Sequence, residues 1–140
     1  MTATMKDDTN ASRLENLARA WVERYEIIGR LGSGDNAAKI LFWAYEEVDR
    51  ICEDAPKRAL LLIEEILHIT NNEFVLANLA AGPLETLLAR HGNAVISEVE
   101  ERAAVDSRFR SLLVNVMQNL MDDELWQRVL RASTNSGHRT

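Results

Sequence analysis

The chain has little of the residues that staple or interrupt a fold, with one cysteine, two prolines and six glycines among 140 residues. The lone cysteine, Cys52, cannot form an intramolecular disulfide, which excludes the disulfide-rich class of small secreted domains and favours a reducing, cytoplasmic location. So few helix breakers leave long stretches free to form helices. At this length one domain buries roughly two-thirds of the surface that its unfolded chain exposes, so a single apolar core is sufficient.

Long apolar runs and an excess of positive charge are also missing. Apolar runs such as 59–63 are far shorter than the roughly 20 residues of a membrane-spanning helix, and the polar residues 1–11 lack the apolar segment of a secretion signal. The net charge is −6, and nucleic-acid binding needs clustered Lys and Arg. We therefore predict no membrane association and no nucleic-acid partner. An acidic domain is better suited to a basic protein surface.

Apolar residues recur at spacings of three and four, the period of an amphipathic helix, and no segment shows the alternation of a strand. The capping box formed by Ser12 and Glu15 predicts a first helix over about 12–28. Further helices are predicted over about 36–52, 56–69, 73–80 and 83–90, and from residues 93, 106 and 122 onward. About eight short helices in antiparallel pairs indicate an all-α fold, either a compact multi-helix bundle or a short α-solenoid. The predicted domain is 12–132, between a disordered N-terminal tail 1–11 and a polar C-terminal tail 133–140.

The segment 79–92 predicts a corner between two helices. Gly82 and Pro83 separate two apolar runs, and proline disrupts a helix interior but is favoured in the first turn of a new helix. Glu85 is then expected to accept hydrogen bonds from the free amides of its own helix. Gly92 is expected to end that helix in a left-handed conformation, with His91 satisfying free carbonyls at its last turn.

Several local patterns resemble phosphate-binding, metal-binding or catalytic motifs, but each lacks the rest of its constellation. Gly29–Gly34 has the glycine spacing of a phosphate-binding loop, yet Asp35 replaces the Walker lysine and no kinase catalytic motif follows. Glu65 and His68 have the spacing of a di-iron ligand pair, a centre that needs a second such pair. Cys52 has the pattern of a small core residue. We therefore predict no cofactor, no metal and no catalytic residue.

The predicted second helix carries two large aromatic side chains on its charged side. Its inner face is predicted to consist of Ile40, Ala44, Val48 and Ile51. One interpretation is that neighbouring helices cover the second helix on two sides. The other is an aromatic anchor ringed by charge, the usual composition of a binding hot spot. On the second interpretation the protein-binding residues are Phe42, Trp43, Glu46 and Glu47.

Five motifs are spread along the chain. They are Leu17-Ala18-Arg19-Ala20-Trp21, Trp43-Ala44-Tyr45-Glu46-Glu47-Val48, Asp54-x-Pro56-x-x-Ala59, the segment from Leu76 to Gly92 with its A-G-P-L-E-x-L-L core, and Asp106-x-x-Phe109. Together they resemble a family of small bacterial all-helical proteins of uncharacterised function, over about residues 14–130. The resemblance implies a bacterial or phage source and a helical fold. It implies no catalytic residue, since that family has no established activity.

Size, acidity and helical pattern favour a non-enzymatic protein-binding domain. We expect an inhibitor or immunity-type protein whose acidic face blocks a basic toxin, nuclease or defence effector. The alternative is a small hydrolase or ligand-binding helical bundle that uses helical carboxylates such as Glu64 and Glu65. The first requires an exposed Trp43, and the second requires a deep pocket with convergent ionisable groups.

Overall fold

The computed structural model describes the backbone of residues 2–134 and the side chains of residues 10–134. All regular secondary structure in this part of the chain is helical, which confirms the predicted all-α fold. The helices are α1 (Thr2–Leu31), α2 (Asn36–Ile40), α3 (Phe42–Asp54), α4 (Pro56–Ile69), α5 (Glu73–Leu79), a π-helical turn (Ala80–Leu84), α6 (Glu85–Val105), α7 (Ser107–Leu113) and α8 (Asp123–Thr134). No helix in the described range is long and apolar enough to cross a membrane.

Helix α4 lies at the centre of the fold. It contacts α1, α3, α5, the π-turn, α6 and α7. Its buried residues are Ala59, Leu60, Leu62, Ile63, Ile66 and Leu67. The wide apolar face of this helix needs several neighbours to cover it, and these neighbours share one continuous cluster of buried side chains. Because α1 also packs on α5, and α3 on α6, helices far apart in sequence are in contact. The arrangement is therefore a bundle and not a solenoid, whose units contact only their neighbours.

Helix α1 is longer than predicted at both ends. It begins at Thr2 and not at Ser12, so the predicted capping box lies inside the helix, and 2–11 of the predicted disordered tail are assigned to α1. It continues past Gly29 and stops before Gly32, whose φ of 90° is the left-handed conformation that glycine adopts most easily. The domain limits of 12–132 stay a prediction. Of the predicted C-terminal tail, 133–134 belong to α8 and 135–140 lie outside the described residues.

The predicted second helix is two helices. Asp35 caps α2 by accepting a hydrogen bond from the Ala37 amide at 3.0 Å. The chain leaves regular helical geometry at Leu41, with φ of −90° and ψ of 6°, and α3 starts afresh at Phe42. Ile40 was wrongly predicted on the inner face, because the break turns it outward and leaves it 74% exposed. The other three predicted inner residues are Ala44, Val48 and Ile51, and all are buried.

Gly82 and Pro83 do not form the predicted corner. The residues flanking the segment, from Leu79 to Ala80 and at Leu84 and Glu85, keep right-handed helical dihedrals. The chain passes through one π-helical turn, in which the Glu85 amide donates to the Ala80 carbonyl five residues earlier. Proline lacks an amide hydrogen and its ring crowds the carbonyl four residues before it. A wider turn accommodates this defect without ending the helix, and the prediction failed because it considered only the α-helical spacing.

The predicted roles of Gly92, His91 and Glu85 are also corrected. Gly92 lies inside α6 without a positive φ, and the kink falls at His91, with φ of −134° and ψ of 24°. A Cβ at Gly92 would overlap the Leu125 side chain of α8, so the glycine permits close packing. The His91 imidazole donates to the Glu53 carbonyl at the end of α3, at 2.6 Å, and so satisfies a carbonyl of another helix.

Glu85 holds the α7–α8 connection instead of its own helix. Its two carboxylate oxygens accept hydrogen bonds from the Met117 amide at 2.9 Å and from the Asn119 side chain at 3.0 Å. Asn119 has a positive φ of 49°, a conformation that asparagine tolerates better than most residues. The charge-assisted hydrogen bonds fix this segment on the start of α6.

The two helical glycines predict opposite effects of alanine. Gly92→Ala should lower the free energy of unfolding by about 1–3 kcal/mol, because the buried Leu125 must move to admit the Cβ. Gly82→Ala places a Cβ where no atom lies within 4 Å apart from its chain neighbours and the backbone of its own helix. It should leave the free energy of unfolding unchanged or raise it by up to about 1 kcal/mol. Urea denaturation followed by circular dichroism measures both, and equal effects would contradict the close approach at Gly92.

Candidate functional site

A groove along α3 contains three of the four predicted protein-binding residues. It has a volume of about 840 Å³ and lies between α1, α3 and the start of α4. Its lining is Arg13, Asn16, Leu17, Trp43, Glu46, Glu47, Arg50, Ile51, Ala55 and Arg58. Trp43 is 51% exposed, so the exposure that the hot-spot interpretation requires is present. We call this surface the Trp43 groove.

The helical period of α3 explains how Trp43 reaches this position. Trp43, Glu47 and Arg50 follow one another at spacings of four and three, which places them on one side of a helix. Ala44 and Val48 are buried against the core and fix the backbone of α3, which carries these three groove residues. Helix α3 also contacts α1, α4, α6 and the π-turn. The helix is thus covered on more than one side, as the alternative interpretation expected, and still leaves Trp43 half in solvent.

The charges around Trp43 are mixed and not purely acidic. The Arg50 guanidinium forms an ion pair with the Glu47 carboxylate on the same helix, and this carboxylate raises the pKa of Arg50. Arg13 and Arg58 line the same groove, so three arginines face two glutamates. Among the described side chains, Glu46 is the groove carboxylate without an ion-pair partner.

Phe42 does not belong to the Trp43 groove. Its ring stacks on Tyr45 with the centroids 5.4 Å apart, and the guanidinium carbon of Arg24 lies 5.3 Å from the Phe42 ring centroid. The same carbon is 5.2 Å from the centroids of both Tyr25 and Tyr45. The structure therefore divides the four predicted residues between two surfaces of α3. Neighbouring residues of a helix point about 100° apart, and this places Phe42 beside Arg24 of α1.

Arg24 is the centre of an aromatic cluster that the sequence analysis missed. Its Nε and Nη1 atoms are buried and have no hydrogen-bond partner in the described structure, so contacts with the aromatic ring faces compensate the lost hydration. Burial raises the pKa of Tyr25, and the nearby Arg24 opposes that rise. The usable signal was the pairing of Trp21 with Tyr25 at a spacing of four, on the helix that also carries Arg24.

The carboxylates considered for a hydrolase have structural partners or remain dispersed. Glu64 forms an ion pair with Arg102 of α6, and this carboxylate raises the pKa of Arg102. Arg102 also lies 3.5 Å from Glu98. His68 is exposed near the end of α4. Within the part of the chain that the structure describes, no group of three or more His, Cys, Asp or Glu side chains is placed to hold a metal ion.

Cys52 is a buried thiol. Burial raises its pKa to about 12, with smaller contributions from the Asp49 and Glu53 carboxylates. Nucleophilic chemistry needs the thiolate, so Cys52 is inert as a nucleophile at neutral pH. This agrees with its predicted role as a core residue.

The Cys52 thiol predicts a loss of stability in alkali. The unfolded chain releases this proton near the ordinary pKa of 9.0, and the folded chain keeps it up to about pH 12. The protonated thiol therefore makes its full contribution to the free energy of unfolding below pH 9.0. Above this pH the free energy of unfolding declines by up to about 1.4 kcal/mol per pH unit. Urea denaturation of the wild type and of Cys52→Ala from about pH 8 to about pH 11 isolates this contribution. Parallel pH profiles would contradict it.

These features define a small all-helical domain with a tryptophan-lined surface groove. Residues 32–137 match a family of unknown function (DUF6869). Because the match covers most of the chain, the chain belongs to this family. No curated protein and no solved structure matches it. The matched region includes Trp43 and the helices from α2 onward, and α1 precedes it.

Two tryptophans provide a matched test of the site geometry. Trp21 is 1% exposed and Trp43 is 51% exposed. Trp21→Ala should lower the free energy of unfolding by about 3–5 kcal/mol, whereas Trp43→Ala should lower it by about 1 kcal/mol or less. Chemical denaturation of both variants checks this difference. A large loss for Trp43→Ala would show that Trp43 serves the core and not a free surface.

Proposed function

We propose that the chain is a non-enzymatic protein-binding domain that holds a segment of a partner protein in the Trp43 groove. The observation that carries the proposal is the half-exposed indole of Trp43 in a groove with a charged rim. Tryptophan is enriched among residues that dominate binding energy, and such anchors lie in pockets from which the surrounding contacts exclude water. Covering the exposed part of this indole provides the apolar contribution to binding.

The rigidity of the groove supports the same proposal. Ala44, Val48 and Ile51 of α3 are buried, so the helix that carries Trp43 does not need to form on binding. The Glu47–Arg50 ion pair restrains one edge of the groove. A surface that is already ordered loses less conformational entropy when a partner docks.

We propose a basic protein as the partner, as expected for an inhibitor or immunity-type protein that blocks a toxin, nuclease or defence effector. The net charge of −6 raises the rate of encounter with a basic surface. At the groove, Glu46 is the carboxylate available for a basic side chain of the partner, while an apolar side chain covers Trp43. A bacterial or phage source, which the family resemblance implies, and a cytoplasmic location, which the single cysteine favours, are parts of this proposal.

The test compares two aromatic truncations in parallel. Tagged wild type, Trp43→Ala and Phe74→Ala are incubated with lysate of the source cells, and bound proteins are quantified by mass spectrometry. Phe74 is 44% exposed and does not line the Trp43 groove, so it controls for the loss of an exposed aromatic ring. We expect one stoichiometric basic partner on wild type and Phe74→Ala, and its loss on Trp43→Ala and at raised salt.

The purified partner then tests the charge. Glu46→Lys should raise the dissociation constant by about tenfold or more, because a charge that repels the basic partner replaces one that attracts it. Full retention of the partner by Trp43→Ala would refute the site. Binding that survives both raised salt and Glu46→Lys would refute the proposed basic partner.

A further inference from the structure

A second concave site lies on another side of α3, beside the π-turn. Its volume is about 230 Å³, and its lining is Trp21, Tyr25, Tyr45, Asp49, Ala81, Gly82, Pro83 and Thr86. It shares no lining residue with the Trp43 groove. We call it the aromatic pocket.

Two pairs of residues at a spacing of four build the walls of the aromatic pocket. Trp21 and Tyr25 lie one turn apart on α1, with ring centroids 4.5 Å from each other. Tyr45 and Asp49 lie one turn apart on α3. The π-turn and the start of α6 supply the remaining surface. Because Trp21 is buried and α1, α3 and the π-turn pack together, the pocket exists before any ligand arrives.

The lining has the chemistry of a cation site. The face of an aromatic ring carries the negative side of its quadrupole, and Tyr25 and Tyr45 line the pocket with part of their side chains exposed. Trp21 is buried behind them at 1% exposure. Asp49 is the one formally charged residue among the lining side chains. Among the described side chains, Asp49 takes part in no ion pair. Aromatic rings together with a carboxylate attract ammonium groups, and quaternary ammonium ligands are recognised in this way.

Arg24 shows that these rings accept a positive charge. Its guanidinium carbon lies 5.2 Å from the centroids of Tyr25 and Tyr45, which is within the range of a cation–π contact. Arg24 does not line the aromatic pocket. The pocket therefore keeps the Asp49 carboxylate and the exposed parts of the two tyrosines for another cation.

We propose that the aromatic pocket binds a small organic cation, an alkylammonium or a methylated ammonium group. Drug-sized ligands occupy sites of roughly 300–1,000 Å³, so the smaller volume here suits a ligand of few heavy atoms. The cation is either a free amine or the end of a basic side chain. The ring faces recognise the ammonium and its methyl groups, and Asp49 compensates its charge. This site is independent of the proposed protein-binding function.

The experiment titrates the whole chain with three probes by isothermal titration calorimetry. Choline chloride represents a methylated ammonium, butylammonium chloride represents a free amine or a lysine side chain, and 3,3-dimethylbutanol is an uncharged analogue of choline. We expect saturable binding of at least one cation with a dissociation constant of about 1 mM or lower. The alcohol should bind about tenfold more weakly or not at all. Tighter binding of choline would assign the ligand as a methylated ammonium, and tighter binding of butylammonium would assign it as a free amine or a lysine side chain.

Matched variants locate the binding. Asp49→Asn should weaken cation binding by about tenfold, and Tyr45→Leu should weaken it as well. Glu46→Gln removes the same charge from the same helix outside the pocket and should have no effect, as should Trp43→Ala. Circular dichroism and thermal denaturation verify that each variant is folded.

Four results would overturn the proposal. The first is the absence of saturable binding when the concentration of each cation is raised to about 10 mM, tenfold above the expected upper limit of the dissociation constant. The second is equal binding of the uncharged alcohol. The third is unchanged affinity in folded Asp49→Asn and Tyr45→Leu. Loss of cation binding in Trp43→Ala would instead place the cation in the Trp43 groove, which also contradicts the aromatic pocket.

Discussion

Burial of α4 is the constraint on which the rest of the structure depends. This helix buries six apolar side chains along one wide face, and each fully buried large apolar side chain contributes about 1.5–3 kcal/mol relative to exposure. Covering it requires α1 and α3 on its sides and the segment from α5 through the π-turn to α6. Both candidate sites lie where α1 meets α3, so the packing that buries α4 also forms the Trp43 groove and the aromatic pocket.

Short-range signals predicted much of the fold. Asp35, Asn72 and Asp106 each accept backbone hydrogen bonds at the start of a helix, the position at which Asp and Asn are favoured. The apolar period located the central helices, because side chains three and four residues apart share a helix face whatever lies opposite. The all-α class follows from these local rules together with the absence of strand alternation in the sequence.

Features that depend on distant partners could not be predicted. Gly92 is needed because Leu125 packs against it, and Glu85 bonds to Met117 and Asn119 in the α7–α8 connection. Local rules assigned all of these groups to the nearest helix end. The path through Gly82 and Pro83 likewise depends on packing. A π-turn and a corner between helices both accommodate the missing amide hydrogen and the bulky ring of proline, so the local sequence does not distinguish them.

The candidate site was predicted in part for the same reason. The period of α3 placed Trp43 outside its inner face, and its exposure follows from that position. Phe42 was expected beside Trp43, but it packs against Arg24 and Tyr45 instead. Because Arg24 belongs to α1, the sequence of α3 alone does not indicate this contact. Trp21 and Tyr25 line the aromatic pocket together with Tyr45 and Asp49 of α3, and no pattern within α1 indicates residues of another helix.

The central claim is that Trp43 is a binding anchor on a preformed surface. The most direct test is a two-dimensional nitrogen–hydrogen NMR spectrum of the indole groups of Trp21, Trp43 and Trp126, assigned by single substitutions and recorded during titration with the purified partner. The account predicts that the Trp43 indole resonance shifts and saturates while the buried Trp21 keeps its position. Saturation of the partner with an unmoved Trp43 resonance would contradict the account.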